Sequence, residues 1–178
     1  MEKIIIDGDQ FNRTISRISH EIIEKHKKID DIVIVGIKRR GAEIAELIQR
    51  KIAELTNVNL PSIDLDITFY RDDLEYAESG LSPVYSGASD FVSVQNKTVI
   101  LVDDVLFTGR TIRAALDALA DFGRAAKVEL VIFVDRGHRE LPIRADYVGK
   151  NVPTSRNEKV QVRTLKFDGC NEVALITP

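Results

Sequence analysis

The stretch Val99-Ile100-Leu101-Val102-Asp103-Asp104-Val105-Leu106-Phe107-Thr108-Gly109-Arg110-Thr111 decides how the rest of this chain is read. Its first four residues are apolar and suit a strand buried on both faces of a parallel sheet. Such sheets take ligands beyond the carboxyl ends of their strands. Asp103 and Asp104 fall at that end. Adjacent carboxylates repel, so a fold that sets them side by side has a sugar diol, a metal or a protonated base to receive them. Thr108, Gly109 and Thr111 let backbone N–H groups and hydroxyls converge where a helix starts and continues through Ile112, Leu116 and Leu119. Amides and helix dipole there favour a phosphate. Alone, Asp-Asp reads as a solvated loop or a generic metal site, and Thr-Gly as an ordinary turn. On one strand, loop and helix they describe a single ligand bearing a diol and a phosphate.

Working outward, the pattern alternates strands and helices. Asp9 is placed to cap a first helix whose Phe11, Ile15, Ile18 and Ile22 share one face, with Arg13, Arg17 and His20 on the other. Asp31 to Gly36 reads as a buried strand, Gly41 to about Leu55 as a helix, and Ile63 to Tyr70 as an alternating strand. Residues 71–90 show little periodicity and read as a mobile excursion of functional kind rather than a linker. Gly123 stops the helix after the acidic strand, and Val128 to Val134 forms a further apolar strand. Lys159 to Arg163 alternates as a half-exposed strand, and Glu172 to Ile176 pairs late in the sheet. This is the βαβ pattern of an α/β protein with a mostly parallel central sheet, in one domain over residues 1–178.

At 178 residues with 44% hydrophobic content the chain can bury a substantial core. A net charge of -3 argues against a wholesale electrostatic nucleic-acid binder. The charge is uneven, however. Residues 135–166 carry eight Lys or Arg against four acids, a net of +4, so the remainder carries -7. One cysteine, Cys170, excludes an intramolecular disulfide framework and fits a reducing compartment. The opening Ile-Ile-Ile run is too short for a signal peptide, and no stretch reaches membrane-spanning length, so a cytoplasmic protein without a membrane partner is expected.

Two further constellations carry chemistry. Gly36-Ile37-Lys38-Arg39-Arg40-Gly41 sets three cations between glycines where a helix begins, a place for a polyanion. Taken alone, three cations on a turn are a solvated surface. Tyr70-Arg71-Asp72-Asp73-Leu74 opens the excursion with a cation, read either as solubility or as a hood that closes and excludes water.

The thirteen-residue stretch resembles the phosphoribosyl-pyrophosphate (PRPP) motif of the type I phosphoribosyltransferases: an apolar run, two acids, and a loop ending in Thr-Gly-x-Thr. The resemblance implies that fold, with a mobile hood, and PRPP bound along Val99, Ile100, Leu101, Val102, Asp103, Asp104, Val105, Leu106, Phe107, Thr108, Gly109, Arg110 and Thr111. Pyrophosphate would then lie on Lys38, Arg39, Arg40, Gly41 and Arg71, in a loop that in this family often carries a non-proline cis peptide. The run from Val134 through Arg136-Gly137-His138-Arg139-Glu140-Leu141-Pro142-Ile143-Arg144-Ala145-Asp146 to Ser155 is more particular. Together with Ser16 and His20 on the first helix and Tyr70 to Leu74, it resembles the PyrR family of pyrimidine operon regulators and uracil phosphoribosyltransferases over nearly the whole chain.

That resemblance implies transfer of ribose 5-phosphate from PRPP to N1 of uracil, giving UMP and pyrophosphate. Asp103, Asp104 and Arg71 are the implied catalytic residues, and Val134, Asp135, Arg136 and His138 the uracil site. Mg²⁺ would be met by Asp103 and Asp104, directly or through its water. It also implies binding of a pyrimidine operon mRNA leader tuned by uridine nucleotides, with Ser16, His20, Arg139, Arg144 and Lys150 as candidate contacts, and a homodimer or higher homo-oligomer. The alternatives are a salvage phosphoribosyltransferase without RNA regulation and an RNA-binding regulator with a vestigial catalytic site. The intact Asp103, Asp104, Thr108 and Thr111 oppose the second.

Overall fold

The computed structural model describes residues 1–70 and 92–178. The predicted excursion over 71–90, with the candidate Arg71, lies outside the described residues.

Continuous apolar runs need both faces covered, and this requirement organises the main sheet. β2 (Ile32–Ile37) is buried at every residue. It pairs in parallel with β3 (Ser62–Leu65) on one side and β4 (Thr98–Leu106) on the other. β5 (Lys127–Asp135) and β6 (Tyr147–Asn151) extend the parallel order to β3-β2-β4-β5-β6. Alternate residues point to opposite faces. Ile32, Ile34, Ile100, Val102, Val131 and Phe133 therefore join one core, and Val33, Val35, Val99, Leu101 and Ile132 the other.

The helices cover these two faces. On the first, α1 (Gly8–Lys25) contributes Phe11, Ile15, Ile18 and Ile22, the predicted stripe, and α2 (Arg40–Thr56) contributes Ile44, Ile48 and Ile52. Phe11 meets Phe133 at a ring-centroid separation of 4.2 Å. Fully burying such a side chain stabilises the fold by about 1.5–3 kcal/mol. On the second face, α3 (Arg110–Leu119) buries Ile112, Ala115, Ala118 and Leu119, while Leu116, predicted on its apolar side, is 42% exposed. Asp7, not Asp9, caps α1: its carboxylate accepts from Gln10 N at 2.8 Å and the Gln10 side chain returns to Asp7 N at 3.1 Å. That reciprocal pair outcompetes a cap two residues later.

Two expectations about strands change, and one unexpected strand appears. The alternating strand read over Ile63 to Tyr70 ends at Leu65, because Asp66 accepts from Thr68 N and folds the chain into a 3₁₀ turn, Thr68–Tyr70. The apolar opening residues form β1 (Glu2–Ile6). Glu172 to Ile176, as β8, joins β1 and β7 (Lys159–Arg163) in a separate antiparallel sheet of order β1-β8-β7 instead of extending the main one. α4 (Leu165–Asp168), between β7 and β8, brings this small sheet against the start of α2. No helix among the described residues is long and apolar enough to cross a membrane.

Candidate active site

β4 does not end at Val102, as the sequence suggested; it runs on through both acids to Leu106. What ends is its neighbour. The register of β2 on β4 stops at Gly36 opposite Val102, whereas β5 stays paired as far as Asp135 opposite Leu106. Asp103 and Asp104 thus lie on a ribbon with a strand on one side and an open cleft on the other, and β5 supplies the ladder bonds that keep this stretch extended. The cleft has a volume of about 450 Å³ and is lined by Lys38, Arg39, Arg40, Asp66, Thr68, Asp103, Asp104 and Thr111, among others.

The acids are held from the main chain. Asp103 is 5% exposed, and its Oδ1 accepts from Asp104 N at 2.9 Å; Asp104 Oδ1 accepts from Val105 N at 2.9 Å. Burial raises the Asp104 carboxyl above the usual range, and its hydrogen bonds to Asp103 and Val105, together with the nearby Arg40 charge, only partly offset this.

Directly after the acids, Gly109 caps α3 at a φ of +97°, a conformation that favours glycine. Residues 105–112 enclose a recess of about 230 Å³ at that helix start. The loop is backed by the segment that follows β5: Thr108 O accepts from Glu140 N and Leu141 N at 2.9 and 3.1 Å, and Arg110 Nε meets Glu140 Oε2 at 3.2 Å.

The cationic turn faces the acids across the cleft. Its Lys38–Arg39 peptide is cis. Lys38 N donates to Leu65 O at 3.0 Å, and Arg40 opens α2. Gly41 lets the turn approach: a Cβ there would stand 2.8 Å from Val102 O and 3.1 Å from Asp103. Only glycine allows α2 to start this close to the acidic ribbon.

The candidate uracil residues take other places. Val134 is fully buried in β5. Arg136 is 7% exposed; its guanidinium lies 4.0 Å over the Phe107 ring and donates to Thr154 Oγ1 and Ser155 O at 3.2 and 3.0 Å. Burial lowers its pKa. His138, at a φ of +64°, has Nε2 2.6 Å from Thr154 O, and Asp135 accepts from Gly137 N and pairs with Arg139. None of the four lines the cleft that holds the acids. Arg136 and His138 knit the end of β5 to residues 154–156.

Of the candidate RNA contacts, Arg139 is drawn inward, donating to Ile143 O and Phe107 O at 2.9 and 3.0 Å. His20, Arg144 and Lys150 are exposed and Ser16 is half-buried. Arg17 donates to Val148 O and Gly149 O at 3.0 and 2.7 Å, which sets the helix carrying Ser16 and His20 beside the strand carrying Lys150.

Two acids outside the predicted set also stand near this cleft. Asp66 accepts from Thr68 N and Oγ1 at 3.0 and 2.7 Å, bonds that lower its pKa with help from the Lys38 charge. The Asp-x-Thr spacing at a strand end was the available signal. Asp168 pairs with Arg40, and no local pattern announces it.

At the carboxyl end of the parallel sheet, then, the acidic pair and the cationic turn face each other across a cleft that adjoins the recess of the glycine loop at Val105 and Thr111. A family model described as the phosphoribosyl transferase domain matches residues 3–168. Hypoxanthine phosphoribosyltransferase structures from Staphylococcus aureus and Trypanosoma cruzi share the fold. Each has a TM-score of 0.71, at 19% and 17% identity, over 99% of this chain and 93% and 97% of theirs. Curated relatives are far nearer. The bifunctional protein PyrR of Actinobacillus succinogenes is 85% identical over 99% of both chains, and that of Pasteurella multocida 83% over 100% of this chain and 99% of its own. The chain belongs to the phosphoribosyl transferase family and, within it, to the PyrR proteins.

Proposed function

We propose that this protein transfers ribose 5-phosphate from PRPP to N1 of uracil, forming UMP and pyrophosphate, and that it also binds the leader RNA of pyrimidine transcripts under control of uridine nucleotides. The observation that carries the first activity is the cleft between the acidic pair and the cationic turn together with the adjoining recess at the glycine loop, the two sharing Val105 and Thr111, which matches the three charged or hydroxylated parts of PRPP.

In the reaction the C1–oxygen bond to pyrophosphate breaks and the N1–C1 bond forms, with N1 losing its proton. Positive charge grows on the sugar and negative charge on the leaving group, so fixed charges placed in advance supply most of the rate. Asp103 and Asp104 accept the ribose hydroxyls and face the developing cation. Asp104, its carboxyl raised by burial, is the group placed to take a proton near the base. Residues 105–111 hold the 5-phosphate on backbone N–H groups at the start of α3. Lys38, Arg39 and Arg40 receive pyrophosphate, and the candidate Arg71 lies outside the described residues. Val134 to His138 form the base side through their backbone, since the Arg136 and His138 side chains are engaged elsewhere.

No cluster of three or more metal-ligating side chains occurs among the described residues. Two adjacent carboxylates suit Mg²⁺ that arrives on its substrate, since this ion keeps most of its waters and is bound through one or two carboxylates. When bound, it would neutralise charge on the pyrophosphate leaving group.

The RNA arm rests on the close PyrR relatives and on Ser16, His20, Arg144 and Lys150, exposed or half-exposed outside the cleft, with Arg139 shaping the neighbouring loop. A homodimer would set two such surfaces side by side. An assay of uracil with PRPP and Mg²⁺, run beside a gel shift with an attenuator loop from the host's own pyrimidine transcripts with and without UMP, tests both halves. UMP synthesis with UMP-enhanced retention is expected. Turnover without retention would leave a salvage enzyme, and retention without turnover a regulator with a vestigial site.

A further inference from the structure

Arg40 does not stand free at the mouth of the cleft. Its Nε donates to Asp168 Oδ2 at 3.1 Å and its Nη2 to Asp168 Oδ1 at 2.8 Å, a two-pronged pair between the first residue of α2 and the last of α4. Asp168 is itself anchored, its Oδ2 accepting from Thr164 N at 2.9 Å and its N–H donating to Thr164 O at 2.7 Å. A second bond runs in parallel, since Lys166 N donates to Glu43 Oε1 at 2.9 Å. Glu43 is 8% exposed, one turn into α2. Two contacts thus clamp α4, the corner of the small antiparallel sheet, onto the helix that begins at the cationic turn.

A guanidinium carries five N–H donors. The Asp168 fork uses two and fixes the plane of the group, leaving three on an arginine that lines the cleft and whose charge reaches Asp104. A planar donor set held in advance loses less entropy when it meets a ligand oxygen than a free side chain would.

Building on the phosphoribosyl transfer proposed above, we propose that Asp168 is a positioning residue. It holds the Arg40 guanidinium in the orientation that grips pyrophosphate, both in bound PRPP and as the leaving group. The small sheet, through α4, is thereby part of the pyrophosphate site although none of its residues lines the cleft. Losing the fork costs charge-assisted hydrogen bonds and the fixed rotamer, an expected weakening of about tenfold.

The test measures Mg-pyrophosphate binding by calorimetry and PRPP kinetics on the full chain and its variants, with thermal melting alongside. Asp168→Asn should weaken pyrophosphate and raise the KM for PRPP about tenfold while kcat stays within about threefold. A merely structural residue would lower the melting temperature and leave KM alone. The double variant with Arg40→Ala should bind no worse than Arg40→Ala by itself, because Asp168 acts only through that side chain. Arg40→Lys keeps the charge but cannot make the fork, so it should reproduce the Asp168→Asn loss, and it judges the idea even if the aspartate variant does not fold. Wild-type pyrophosphate binding in Asp168→Asn or Arg40→Lys, or additive losses in the double variant, would overturn the inference. A wild type that binds pyrophosphate but makes no UMP would sink the uracil reading and leave this one to be judged by calorimetry.

Discussion

Asp104 and Glu129 belong to neighbouring strands of one sheet, yet the protein treats their charges in opposite ways. Glu129 lies near the amino end of β5 with its side chain 0% exposed, and four donors close on it: Lys127 Nζ at 2.5 Å, Tyr147 OH at 2.6 Å, His26 Nε2 at 2.9 Å and Lys25 Nζ at 3.1 Å. Burial alone would raise its pKa, but those bonds hold it down at about 2, and the Tyr147 hydroxyl is pushed up in turn by burial and by the glutamate. Asp104, toward the carboxyl end of β4, makes no ion pair among the described residues, and its carboxyl is raised. A buried charge ringed by opposite charges and donors fastens secondary structure. One whose compensation is left partial waits for a ligand to finish it.

The largest effect expected from this contrast is on catalysis. Asp104→Asn should lower kcat/KM for UMP synthesis by about 10²–10³-fold, since it removes one charge from the place where the sugar turns cationic. The melting temperature should hold within about 2 °C, because no fold-stabilising ion pair is lost. A variant that melts early and still turns over would invert the assignment.

Glu129→Gln should do the reverse. It leaves two lysines and a histidine around a neutral amide, at a cost of about 3 kcal/mol, the low end for a broken buried pair because both lysines are partly exposed. For a chain of this size that is about 6–12 °C of melting temperature, read by calorimetry, with uracil turnover at 25 °C within about twofold of wild type. The pH dependence has a definite sign. A carboxyl ordinarily near 4.5 but held at about 2 in the folded state stabilises the fold above pH 4.5 and loses that contribution as pH falls toward 2. The gap between wild type and Glu129→Gln should therefore narrow between pH 5 and pH 2, and a constant gap across that window would mean the carboxylate is not what holds the corner.

The same contrast explains how much could be read from the sequence. The acidic pair announced itself because Asp103, Asp104, Thr108, Gly109 and Thr111 are contiguous and local rules attach a ligand chemistry to each. Gly36 to Gly41 was legible for the same reason. Glu129 was absorbed into the apolar run Val128 to Val134, because its four partners come from the end of α1, from β6 and from its own strand, and no spacing within β5 reveals them. Asp168 was hidden likewise, its partner lying 128 residues away. Arg136 and Arg139 show the other side of this: their intramolecular partners, Phe107, Thr154 and the carbonyls of Ser155 and Ile143, are not legible from cations beside a strand end. The end of β4 was misplaced by the same blindness, since what opens the cleft is the departure of β2, which the sequence of β4 does not record.

The smallest effect tests whether the four donors on Glu129 act as one network or as a graded set. Lys127 makes the 2.5 Å contact but its side chain is 55% exposed, so water and salt compete for it. Tyr147 is 3% exposed and its hydroxyl has no such alternative. Lys127→Met should therefore cost at most about 1 kcal/mol, or about 2–4 °C, and the cost should shrink further in 1 M salt. Tyr147→Phe, which removes a buried donor from a charged acceptor, should cost about 1.5–3 kcal/mol and be indifferent to salt. If Lys127→Met instead matched Glu129→Gln, distance would outweigh burial at this corner, and partner completeness would have to be judged by proximity alone. If the order found is carboxylate, then phenol, then lysine, burial of the donor sets what each bond is worth, and the half-exposed Arg40–Asp168 fork should then contribute more to orientation than to stability.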